Sequence, residues 1–182
     1  MTKSYIISDL HIGHKNILKY RTEFSSIAEH DGTILDNILS TLNKRDSLTI
    51  LGDCFFDAES VESHLRVIKG RCARINWILG NHDTDSALRQ KNVKYILEHG
   101  LVDKIHGLTS SKGYWLSHAP IHPAELRGKM NIHGHVHSKT IRDDNYINVS
   151  CENVRYTPVD VHELVDFEYR EINLVQYGET YD

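Results

Sequence analysis

A chain of 182 residues, 40% apolar and 25% charged, is long enough for one domain with a sizeable core, since chains near this size bury roughly 70% of the surface they expose when unfolded. Its formal net charge of −4 argues against broad nonspecific binding to nucleic acid, leaving only a local basic groove open. No apolar run approaches the ~18 residues of a membrane span, and Cys54, Cys72 and Cys151 are spaced as reduced thiols of a cytosolic protein are, with no CxxC pair.

The N-terminus runs straight into a strand instead of a signal peptide. That strand is Tyr5-Ile6-Ile7-Ser8, a short apolar β-favouring run. It delivers Asp9 and His11, which as positions i and i+2 of an extended chain face one side. Residues 12–20 read as loop or a short helical turn carrying His14 and Asn16. Asp31 reads as the N-cap of a helix with apolar residues at Ile34, Leu35, Ile38, Leu39 and Leu42. A second buried strand, Ser47 to Leu51, ends in Gly52-Asp53, and a helix from Ala58 to Lys69 follows with Gly70 as its stop. The third strand, Arg74 to Leu79, runs into Gly80-Asn81-His82-Asp83. Strand, helix, strand, helix, strand is the α/β pattern, and the functional groups fall at strand C-termini, where open α/β sheets bind ligands.

The second half predicts strands at Tyr114 to Ser117, at Asn131 to His137 with His133, His135 and His137 alternating onto one face, and at Tyr146 to Ser150. This suggests a sheet built by hairpins. Asp160 and Glu163 predict a capping pair for a C-terminal helix carrying Val161, Leu164, Val165 and Glu168. With no repeat, low-complexity tract or linker, the expectation is one cytoplasmic domain over residues 1–182.

Histidine is the outlier, with 13 residues clustered beside Gly and Asp. Asp9, His11, Asp53, Asn81, His118, His135 and His137 would give one site two Asp, one Asn and four His ligands. Mixed oxygen and nitrogen donors suit Mn, Fe, Ni, Co or Zn better than Ca or Mg, and the lack of thiolate argues against a structural zinc. Seven ligands exceed one tetrahedral ion and suit two ions about 3.5–4 Å apart that share a carboxylate, the geometry for in-line displacement at phosphorus. Asp53 is the natural bridge, and the neutral Asn81 leaves positive charge for an anionic phosphate.

The set Asp9-x-His11, Gly52-Asp53, Gly80-Asn81-His82-Asp83, His118 and Gly134-His135-x-His137 resembles the calcineurin-like metallophosphoesterase superfamily, in particular its small, compact bacterial and phage members. The resemblance runs from residue 4 to about residue 150. It implies a four-layer α/β/β/α sandwich of two mixed sheets flanked by helices. It also implies two divalent metal ions, Mn first, one held by Asp9, His11, Asp53 and His137 and the other by Asp53, Asn81, His118 and His135. His82 would contact the phosphate, stabilising the transition state or protonating the leaving oxygen, while a metal-bridging hydroxide attacks phosphorus. One departure is Ser117, where many members carry Gly before the histidine.

Around this set, His14 and His122 are candidates for substrate contact, and His14 could equally orient His11. His133 reads as a strand histidine packed beside the site, Asp83 as a group that orients a ligand or His82, and Cys54 as a small packing residue. The basic run from Arg66 to Arg74 reads as a solvated face. The expected substrate is a small phosphodiester, possibly a nucleotide. A phosphomonoesterase, a nucleotide pyrophosphatase of the lipid-A type and a repair-type nuclease are the alternatives; the last two usually add lids. Only about 35 residues separate Asp83 from His118, which leaves little room for one. A metal-binding interaction scaffold is the non-enzyme alternative, and it predicts missing ligands.

Overall fold

The computed structural model describes residues 2–111, 113–166, 170 and 180–181. Its strands are β1 (Ser4–Ile7), β2 (Ser47–Ile50), β3 (Arg74–Ile78), β4 (Lys104–His106), β5 (Leu108–Ser111), β6 (Tyr114–Ser117), β7 (Met130–His133), β8 (Thr140–Ile141), β9 (Tyr146–Asn148), β10 (Val159–Asp160) and β11 (Thr180–Tyr181). They form two mixed sheets, ordered β10-β1-β2-β3-β4 and β5-β6-β7-β9, with β8 and β11 as a small parallel pair. Strands β1 to β4 are parallel, and β10 joins β1 antiparallel. In the second sheet only β5–β6 is antiparallel; β6–β7 and β7–β9 are parallel and need crossovers. The hairpin-built sheet expected from the sequence is therefore corrected to a single hairpin.

Parallel strands usually read as continuous apolar runs, but here β2 and β3 alternate, burying Leu48, Ile50, Ile75, Trp77 and Ile78 between polar Ser47, Thr49, Arg74 and Asn76. One core cluster accordingly takes Ile6, Ile7, Leu48, Ile50, Ile75 and Ile78 from the first sheet and Leu116, Ile132 and Ile147 from the second. Helix α1 (Ile27–Thr41) adds Ile34 and Ile38 to it. Three segments run on as one helix: α2 (Ala58–Ser60), a π-helical Val61–Leu65 and α3 (Arg66–Arg71). This helix brings Leu65 and Ile68 to the core, and α4 (Ala87–Glu98) brings Ile96. The result is an α/β sandwich. Among the described residues, no helix is long and apolar enough to cross a membrane.

Several local expectations shift. The cap of α1 is Ser26, whose hydroxyl accepts the Glu29 N–H at 3.2 Å, an interaction typically worth about 1 kcal/mol. Asp31 lies inside the helix and accepts the Gly13 N–H at 2.9 Å instead. Gly70 also lies inside its helix, which stops at an extended Cys72. Asp160 is a strand residue paired with Tyr5, so it caps no helix. After it come the turn Glu163–Val165, a helical Arg170 whose N–H donates to the Asp166 carbonyl (3.1 Å), and β11; Glu168 and the rest of the expected C-terminal helix lie outside the described residues. Residues 84–111, left unassigned by the sequence patterns, supply α4, β4 and β5.

Candidate metal centre

The C-terminal ends of both sheets meet at one place, because the segments that leave the strands bond to each other. The Asp9 N–H donates to the Gly52 carbonyl (3.1 Å), the His11 N–H to the Asp53 carbonyl (2.9 Å), and the Gly134 N–H to the His118 carbonyl (2.8 Å). Ser8 ties the sheets together, its N–H donating to Val149 and its carbonyl accepting from Cys151. Asp83 reinforces this floor by accepting the N–H groups of Asp53 (3.0 Å), Cys54 (2.9 Å) and Gly80 (2.7 Å). Burial pushes its carboxyl up to about 6 against those donors. Gly52, at φ +87°, has no room for a side chain: a Cβ would come within 2.6 Å of Gly80 and of the His118 ring.

Backbone strain concentrates here. Of the eight non-glycine residues with positive φ among the described residues, five are Asp9, His11, Asp53, His135 and His137. Each such conformation costs on the order of 1–3 kcal/mol and persists where the surroundings over-determine it, commonly at functional sites. The extended geometry expected for Asp9 and His11 is thus replaced by left-handed turns. Likewise β7 stops at His133, and His135 and His137 reach the site from a loop and not by strand alternation.

Two groups of donor atoms result. Asp9, His11 and His137 present atoms within 4.8 Å of one another, as do Asp9, Asp53 and His118. Asp9 belongs to both groups, but its Oδ1 lies near His11 Nε2 (3.9 Å) and His137 Nε2 (4.0 Å), both on one side. Asp53 Oδ2 is near an imidazole nitrogen from each group, His11 Nε2 at 3.9 Å and His118 Nε2 at 3.4 Å. On the far side Asn81 Oδ1, His118 Nε2 and His135 Nδ1 converge at 2.9, 3.0 and 3.2 Å.

The remaining atoms of these side chains are tied down so that the converging ones face inward. Asp9 Oδ2 accepts from the His135 N–H (2.9 Å) and the Ser150 hydroxyl (3.0 Å). Asp53 Oδ1 accepts the His82 N–H at 2.8 Å. His118 Nδ1 donates to the Leu51 carbonyl (2.7 Å) and His137 Nδ1 to Glu152 (3.0 Å), which leaves Nε2 of both rings for the centre. Asp9 Oδ1 and His11 Nε2 are buried with no hydrogen-bond partner among the described residues. Buried polar atoms are normally paired, so two unpaired atoms aimed at one point fit a cation there.

The protonation pattern shows the same demand. Burial disfavours a charged His118, yet Asp53 and Asp9 lift it to about 9, so a proton stands where a cation would otherwise neutralise the carboxylates. Burial with the Arg21 charge drives His11 well below its ordinary value. Burial works against ionising Glu152, but Arg21 and His137 hold it at about 2.

Arg21 and Glu152 escaped the sequence reading. Arg21 is fully buried and donates to the Asp9 carbonyl (2.7 Å), the Leu10 carbonyl (3.3 Å) and Glu152 (2.8 Å), so it fixes both the Asp9 loop and the partner of His137. A carboxylate just past the end of β9 was the available signal for Glu152. For Arg21, in an irregular loop, the sequence offered none. His14 sits against His11, with Nδ1 atoms 3.0 Å apart, and stacks on Phe56 at 4.0 Å. His122 is exposed, accepts the Ala124 N–H at 3.2 Å to cap a turn, and makes no ring or hydrogen-bond contact with the seven among the described residues. His133 is buried, its Nδ1 bonded to the Gly134 carbonyl at 2.9 Å. Ser117 in β6 accepts from Asn131 (2.9 Å) and donates to the Ala119 carbonyl (2.6 Å).

No family model matches the chain. The gene 66 protein of Mycobacterium phage L5 is 31% identical over 167 residues, covering 78% of this chain and 80% of that protein. An uncharacterised protein of Methanocaldococcus jannaschii is 26% identical over 177 residues, covering 91% and 90%. A crystal structure of an Aquifex aeolicus protein of unknown function superposes with a TM-score of 0.68 at 27% identity, covering 91% of this chain and 98% of that one.

Proposed function

The chain belongs to the family of the gene 66 protein of Mycobacterium phage L5, and we propose that it is a metal-dependent hydrolase of phosphate esters that prefers small phosphodiesters. The observation that carries this is Asp53 Oδ2, which lies within 4 Å of an imidazole nitrogen from each of two donor groups, His11 at 3.9 Å and His118 at 3.4 Å. Asp9, His11, Asp53 and His137 would hold one divalent ion, and Asp53, Asn81, His118 and His135 the second, the set that the resemblance to calcineurin-like metallophosphoesterases also implies. The donor chemistry favours Mn, with Fe, Co, Ni and Zn as neighbours. Bound there, such ions supply an activated water and neutralise phosphate oxygens.

The chain's own residues do the rest. Two carboxylates against two divalent ions leave a net charge of +2 (4 − 2), which draws an anionic ester to the site. His82 follows Asn81, is anchored through its N–H to Asp53, and keeps its ring at the edge of His11, centroids 6.0 Å apart. It can therefore reach a phosphate oxygen without ligating either ion, holding its charge or donating a proton to the leaving oxygen from Nε2. Asn81 and His135 are exposed, and the chain after Asp83 goes into α4, β4 and β5. Among the described residues no lid covers this side, which suits small or flexible diesters.

The test is hydrolysis of an aryl monoester, a linear diester and a 2′,3′-cyclic nucleotide by purified protein with and without Mn²⁺. Chelation should abolish turnover, Mn²⁺ should restore it, and a diester should be the best substrate. Turnover indifferent to chelator, or none with any of the five metals, would overturn the proposal.

A further inference from the structure

Two residues outside the metal centre enclose His82. Asp85 Oδ2 lies 2.7 Å from His82 Nδ1. An ionised carboxylate only accepts, whereas Arg89 Nη1, 3.4 Å from the same Nδ1, only donates; the much shorter carboxylate contact wins, so Nδ1 donates and Nε2 is the nitrogen left for a substrate. Arg89 Nη1 donates to both Asp85 oxygens (2.9 and 2.8 Å) and to the His82 carbonyl (3.1 Å). The Arg89 guanidinium in turn lies over the Phe56 ring, 3.8 Å from its centroid. Phe56 is buried, and its stacking partner is His14, which abuts the ligand candidate His11.

An exposed Asp–Arg pair one helical turn apart is ordinarily worth about 0.3–0.5 kcal/mol and needs no function. That description leaves out both the Nδ1 contact and the bond from Arg89 to the His82 carbonyl. Here the carboxylate is clamped by a cation that is itself seated on a buried aromatic ring.

We propose that Asp85 is a positioning residue for His82, locked by Arg89 on the face of Phe56, so that the His82 ring meets the phosphate through Nε2 in one orientation. The consequence for rate rests on the hydrolase proposal above; the orientation itself does not. Asp85 is in neither donor group and need not touch substrate, so its effect should pass entirely through His82.

The experiment has two arms. In the first, ¹H–¹⁵N imidazole spectra of the metal-free protein are recorded above the ordinary histidine range, for wild type and Asp85→Ala. The His82 proton should sit on Nδ1 in wild type and shift toward Nε2 in the variant; an unchanged tautomer would overturn the proposal. The second arm is a double-mutant cycle of Asp85→Ala and His82→Ala on the Mn²⁺-loaded enzyme with an alkyl diester. Asp85→Ala should lower kcat roughly 10²-fold, within the range of general acid catalysis, with KM and metal content unchanged. In the His82→Ala background it should change kcat by less than about twofold. Equal losses in both backgrounds would contradict the proposal. If wild type hydrolyses no ester, the hydrolase proposal fails and the tautomer spectra alone decide the positioning role.

Discussion

The two sides of the candidate metal centre are built differently. Asp9 and His11 are 0% and 2% exposed, and each has one donor atom with no partner among the described residues. Behind them stand the buried Arg21 and its partner Glu152, which fix the loop and the His137 ring. On the other side Asn81 and His135 are exposed, and their donor atoms already touch each other and His118. The buried side cannot satisfy its own polar atoms, whereas the open side can, by sharing a proton on His118. Burial without a partner is expensive, so the buried side should hold its ion more tightly and the open side should exchange it.

Asp53 is the proposed bridge between the sides, so changing it should erase the difference between them. Asp53→Asn removes the shared negative charge, and metal analysis should find both ions lost and turnover at background. Retention of both ions at wild-type affinity would refute a bridge. Arg21→Ala acts on the buried side alone and removes the guanidinium from Glu152, leaving it the His137 ring as partner. Breaking a buried ion pair typically costs about 3–5 kcal/mol, so thermal unfolding of the metal-free protein should show a loss of that order, with the tighter ion weakened. Asn81→Ala acts on the open side alone. A titration of bound metal should show only the weaker ion affected, by about tenfold or more, with stability little changed.

A smaller effect concerns acid. The folded-state value of Glu152 lies below its ordinary 4.5, at about 2. A depressed carboxylate contributes stability that is complete above the unfolded value and is lost as pH falls through the folded one. The metal-free protein should therefore lose stability between about pH 4.5 and 2, and Glu152→Gln should flatten that stretch of the curve. An identical acid-unfolding profile in the variant would remove Glu152 from this role.

What was legible in the sequence follows the same division. The strand ends at Asp9, Asp53 and Asn81 announce themselves because each strand closes on apolar residues (Ile6-Ile7, Ile50-Leu51, Trp77-Ile78-Leu79) just before a Gly or Asp. The short polar motifs then mark the side chains that the structure brings together. Loop conformation was not legible. Nothing in Gly134-His135-Val136-His137 separates an alternating strand from two left-handed turns, since the hydrogen bonds that decide it come from Asp9 and Glu152, far away in sequence. Arg21 was hidden for the same reason: its role lies in contacts to the Asp9 loop and to Glu152, not in any local pattern. The cap of α1 was misplaced because Asp31 and Ser26 are both good caps, and the choice fell to Ser26 once Asp31 was drawn to Gly13. For Asp85, the sequence shows only an aspartate three residues past His82, a spacing as common in plain turns.

The most direct measurement is anomalous diffraction at the manganese edge from crystals grown with Mn²⁺. Two peaks should appear, one against Asp9, His11 and His137 and one against Asn81, His118 and His135, with Asp53 Oδ2 in contact with both and the first peak the more fully occupied at limiting metal. A single peak, or two peaks of which either fails to touch Asp53, would contradict a centre built around one shared carboxylate.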